Sequence, residues 1–110
     1  MSHPLLPYIK KQKNVLLQSS SIENDFATLL RAKNLVSSGV GTFCPAAALC
    51  SINLKNYYCT NIFLEEHLNY KMLKNYDINI NLKNINNYIN IGEWTSSRDQ
   101  VNMMINYEVF

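Results

Sequence analysis

Cys44, Cys50, Cys59 and His67 are the residues whose types could hold a metal or carry a nucleophile. Five, eight and seven residues separate successive members. A structural zinc site usually turns two ligands inward from positions about two to four residues apart, and no such pair occurs. No metal site and no cofactor is expected. Cys44-Pro45 is the sharper feature. Pro suits the first turn of a helix, and the dipole at a helix N-terminus lowers a thiol's pKa, so Cys44 is a candidate reactive thiol. Its placement is similar to a redox Cys-Pro turn, but the usual second cysteine is replaced by Ala47. Covalent catalysis would also need a base, and only His3 and His67 exist. Glu65-Glu66 are adjacent on the chain, so on a helix they point apart and form no acid/base pair. Gly39-Val40-Gly41 lacks the remaining residues of a phosphate-cradling loop. No catalytic set survives, and the chain is expected not to be an enzyme.

The remaining candidates are surfaces. Trp94 is the sole tryptophan, and Tyr88 and Tyr107 flank it. Rings of this kind anchor interfaces, so these three are the candidate interaction surface. Lys10, Lys11 and Lys13 beside Tyr8 form the one basic cluster and a weak candidate for phosphate contact. The net charge is only +2, which gives little steering toward nucleic acid, so a nucleic-acid partner is not expected.

Composition bounds the class. The 110 residues suffice for one modest core. Asn, Ile, Lys, Tyr, Phe and Met fill 49 positions, the mark of A/T-rich coding such as that of some viruses, organelles and parasites. An odd number of cysteines favours a reducing compartment, so an intracellular, cytoplasmic protein is expected. No long apolar run follows the N-terminal lysines, and a secretory signal is not expected. Residues 34–54 carry no charge and approach the length of a membrane span. Their Ser, Gly, Pro and Asn content fits buried core better, and membrane contact through this stretch is the secondary expectation.

The elements that must position these residues read as follows. Residues 1–13 are a flexible basic arm held extended by Pro4 and Pro7, and residues 14–110 form one small domain. Ser20-Ser21-Ile22-Glu23 is a capping-box pattern opening a helix over about 20–37. Pro45 opens a second helix over about 45–52. Leu64, Leu68, Met72 and Tyr76 recur every four residues, predicting a third helix over about 61–76. Ile78, Ile80 and Leu82 alternate with Asn79, Asn81 and Lys83, and Val101, Met103, Ile105, Tyr107 and Val109 alternate with Asn102, Met104, Asn106, Glu108 and Phe110. That period predicts strands over about 78–82, 88–94 and 100–109. The expected fold class is therefore α+β, with N-terminal helices packed on a small C-terminal antiparallel β-meander.

Two short resemblances bear on an alternative. Met72 to Ile80 resembles the end of an ankyrin repeat, where a Leu-rich helix runs into a loop with Asp-x-Asn; the glycine expected after Asn75 is missing. Leu29-Leu30 and Phe63-Leu64 lie 34 residues apart, near a helical-repeat period. Ile89 to Trp94 resembles a strand of a kelch blade, with Glu93 breaking the Gly-Gly doublet. Both resemblances imply binding scaffolds, and the first implies an all-α helical-repeat-like fold or a fragment of one. The expected function is accordingly non-enzymatic: binding a partner protein, or a second copy of the chain, through the C-terminal sheet edge and an Asn/Tyr-rich face.

Overall fold

The computed structural model describes residues 5–37, 41–74, 76–85, 90 and 92–107. Its elements are α1 (Leu6–Ile9), α2 (Ile22–Leu30), β1 (Asn34–Val36), α3 (Phe43–Cys50), β2 (Asn56–Thr60), a 3-10 turn (Tyr70–Leu73), β3 (Asn79–Lys83) and α4 (Arg98–Asn106). They fall into two compact units. One is Ser19–Tyr88; the other joins the residues up to Gln18 with those from Ile89 onward.

The larger unit is built on a sheet of order β1-β2-β3 in which both pairings are parallel. Asn34 stands opposite Asn56, and Asn56 opposite Asn79. A strand thus recurs about every 22 residues, with α3 filling the first crossover and the 3-10 turn the second. This overturns the antiparallel meander: the class remains mixed helix and strand, but the strands interleave with helices instead of following them. Period-two alternation identifies a strand without fixing its direction. Parallel neighbours need a crossover, and each inter-strand segment supplies one. Three strands likewise exclude the all-α alternative.

The helices form where local chemistry caps them. Ser21, rather than Ser20, caps α2: its Oγ accepts from Asn24 N at 3.1 Å, while Ser20 N donates to both oxygens of Asp25. Glu23 and Asp25 in the first turn complement the dipole. The helix stops at Leu30, well short of residue 37. Its last carbonyl is taken by Ser51 Oγ at 3.0 Å and Asn53 Nδ2 at 3.2 Å, so the chain leaves the helix with that acceptor satisfied and enters β1. In α3, Pro45, Ala47 and Ala48 are buried, and Phe43 packs on Phe26 with ring centroids 5.4 Å apart.

The expected helix over 61–76 is largely absent. Only Tyr70–Leu73 winds, as a single 3-10 turn. Buried Asn69 explains the interruption: its Oδ1 accepts from Lys71 N and its Nδ2 donates to His67 O. A side chain bonding its own backbone this way competes with helical bonding. Leu73 nonetheless reaches the core and is fully buried. It joins Leu35, Ala48, Leu54, Tyr57 and Cys59, with Leu29, Tyr70 and Ile80 packed around them. Each large side chain buried this fully contributes on the order of 1.5–3 kcal/mol. The charge-free stretch 34–54 divides into β1, α3 and β2-leading chain, and among the described residues no helix is long and apolar enough to cross a membrane.

The smaller unit holds α1, a single turn, and α4. Of the strand expected over 100–109, residues 100–106 instead belong to α4, and residues 108 and 109 lie outside the described residues. Ser97 and Gln100 form a full capping box, Gln100 N donating to Ser97 Oγ at 3.2 Å. Gln100 Oε1 also accepts from Thr95 N at 2.7 Å, and its Nε2 donates to Glu93 O. Of the strand expected over 88–94, residues 88, 89 and 91 lie outside the described residues; Gly92 sits at a φ of +92°, in a turn rather than a ladder.

Candidate functional site: the open face of the sheet

Side chains alternate across a strand, so the parallel register sorts the three strands into two faces. Leu35, Tyr57, Cys59 and Ile80 point into the core beneath the helices. Asn34 and Val36, Asn56 and Tyr58, and Asn79 and Asn81 occupy the other face. On that second face Val36 is 76% exposed and Tyr58 40%. Parallel sheets are ordinarily covered on both sides, so an open one is a departure to explain.

The open face is ordered by amides. Asn56 Nδ2 donates to Asn34 Oδ1 at 2.8 Å, and Asn79 Nδ2 donates to Asn56 Oδ1 at 3.2 Å. The three side chains form a continuous ladder, one per strand, in register. Asn is poor in strands, but here each amide gains a cross-strand partner. Two residues further along sit Val36, Tyr58 and Asn81, and at the far end Lys83, the one charged residue of the three strands. The result is a strip with amide donors and acceptors at one end and exposed apolar surface in the middle.

The covered face holds different chemistry. Ser37, Cys44, Tyr57 and Cys59 gather where β1 and β2 meet the first turn of α3. Cys44 Sγ lies 3.9 Å from Val36 O. Burial pushes the Cys44 thiol up, against hydrogen bonds with Ser37 and Tyr57 that pull it down. That direction is opposite to the acidification a helix start supplies. Burial likewise raises Cys59, and it pushes the Tyr57 phenol up to about 12, with a Ser37 hydrogen bond opposing the rise and the two thiols adding to it. Desolvation thus favours the neutral forms of both thiols and of the phenol in this part of the core.

The residues singled out in the sequence lie elsewhere. Trp94, half-buried in the segment before α4, and Tyr107, which ends α4, belong to the smaller unit. Tyr88 lies outside the described residues. Lys10, Lys11 and Lys13 are exposed after α1, and Lys11 Nζ stands 5.9 Å from the Tyr8 ring centroid. His67 is exposed, and among the described residues no group of three or more His, Cys, Asp or Glu could hold a metal ion. Tyr58 was one of several tyrosines that could supply a surface, whereas sequence reasoning passed over Asn34, Asn56, Asn79 and Val36. The available signal was the spacing of about 22 residues between the three asparagines, hidden among 16 in the chain. No protein-family model, curated protein or solved structure matches the chain significantly.

Proposed function

We propose that the chain is a non-enzymatic protein-interaction module whose binding surface is the open face of its parallel sheet. The observation that carries this reading is the exposure of Val36 and Tyr58 beside an ordered amide ladder. Exposed apolar side chains beside fixed hydrogen-bonding groups suit a partner that brings both apolar and amide surface, namely an extended segment of another protein. A nearly uncharged face is a poor match for a phosphate backbone, which is bound through lysines and arginines.

A photo-crosslinking residue placed at position 58 tests this in cells, with position 23 on α2 as the control. The reading expects discrete protein adducts from position 58 that disappear when Val36→Lys is added. Adducts of equal yield from both positions, or none from position 58, would refute it.

A further inference from the structure

The two edges of the sheet are related to each other by the same step that relates its strands. Four backbone bonds establish this. Asn56 N donates to Lys33 O and Ser37 N to Tyr58 O, so residues 33, 35 and 37 direct their backbone groups toward β2. Asn34 and Val36 therefore direct theirs to the opposite side of β1, where no described strand pairs and where Val36 O takes the contact from Cys44 Sγ at 3.9 Å. Asn79 N donates to Lys55 O and Asn61 N to Lys83 O, so residues 79, 81 and 83 face β2. Ile80 and Leu82 direct theirs away from it. In the interior pairings, the Asn of one strand stands opposite the Asn of the next. Setting Asn34 of a second copy opposite Asn79 repeats that arrangement, and it brings the outward groups of Ile80 and Leu82 against those of Asn34 and Val36. No shift of register is needed.

The side-chain ladder has the matching polarity. Both ladder bonds run the same way, the amide nearer β3 donating to the one nearer β1. Among the described residues this leaves the Asn79 Oδ1 acceptor open at one edge and the Asn34 Nδ2 donor open at the other. Exchanging O and N in every amide reverses the direction but still leaves a donor at one edge and an acceptor at the other. Two copies of the same edge would meet acceptor to acceptor; opposite edges meet donor to acceptor. Protection against such pairing is slight: β1 has no lysine, proline or bulge, and β3 has only Lys83.

We infer that copies of this chain associate head to tail, the β3 edge of one pairing in parallel with the β1 edge of the next in the register that sets Asn79 opposite Asn34. Such an interface joins two different patches, so each added copy offers a fresh edge and the assembly does not close as a dimer.

Sedimentation velocity of the full chain over rising concentration, with reductant present to keep the exposed Cys50 from linking chains, is the test. The weight-average mass is expected to climb continuously past that of two chains. Leu82→Pro removes an outward N–H without touching the β2–β3 ladder; it is expected to stay monomeric with an unchanged circular dichroism spectrum, and to shorten wild-type assemblies when mixed in small proportion. Asn34→Asp acts at the other edge. It still accepts from Asn56 but has no donor to offer, and it is expected to weaken association even if Leu82→Pro fails to fold. A mass that stays at one chain throughout, a mass that stops at two, or a folded Leu82→Pro or Asn34→Asp variant that associates like the wild type would overturn the inference.

Discussion

The covered and open faces of the sheet use the same three strands in opposite ways. On the covered face Leu35, Tyr57 and Cys59 are nearly free of solvent, and the titratable groups there are held neutral by burial. On the open face the organising residues are amides, which water also solvates well, so each ladder bond gains little net stability. The difference teaches that burial and exposure are divided by strand parity. Tyr57 and Cys59, the odd positions of β2, hold the fold together, whereas Tyr58 between them is turned to solvent.

The largest break in that comparison is expected from Leu73→Ala. The side chain is fully buried under the sheet, and its loss is expected to cost about 2–5 kcal/mol in urea unfolding. The next concerns pH. Tyr57 is raised from an ordinary 10.0 to about 12, so the folded state favours the protonated phenol. Its contribution is fully present below about pH 10 and is lost as pH rises through about 12. Thermal unfolding followed across that window should show a fall in stability that Tyr57→Phe reduces, with the thiols Cys44 and Cys59 adding a fall of the same sign from pH 9 upward.

The ladder gives a smaller and graded effect. Asn56→Ala removes two side-chain bonds and Asn34→Ala only one. At about 0.5–1.5 kcal/mol per bond, with exposure favouring the low end, the central substitution should destabilise more than the terminal one in paired denaturation curves. Smallest of all is Val36→Asp, expected to move stability by no more than about 0.5 kcal/mol while abolishing crosslinking from position 58. A loss of several kcal/mol at Val36 would erase the division between the faces.

Much of the local structure was legible in the sequence and little of its assembly. The start of α2 was visible in its serines, offset by one residue. The strand at 79–83 showed in the Ile-Asn alternation, and α3 in Pro45 with its alanines. Helix α4 was equally announced by Ser97 and Gln100, three residues apart, but the alternation from Val101 to Val109 suggested a strand instead. A stripe of Val101, Met104 and Ile105 fits a helix as well, and the cap decides between the periods. Residues 61–76 failed the other way, because leucines at helical spacing carry no information about Asn69 bonding its own backbone. The candidate surface was hidden for a statistical reason. A ladder of three asparagines in a chain this rich in asparagine has no distinctive spelling, and only the pairing register singles them out.

The spacing of about 22 residues between strands has a consequence for how the chain reaches this structure. Parallel sheets are commonly slow to form because their pairings close long loops. Here every strand pairs with the next one along the chain, so each closure spans only one short crossover. The sheet can therefore grow one strand at a time from either neighbour, with a modest entropic barrier at each step.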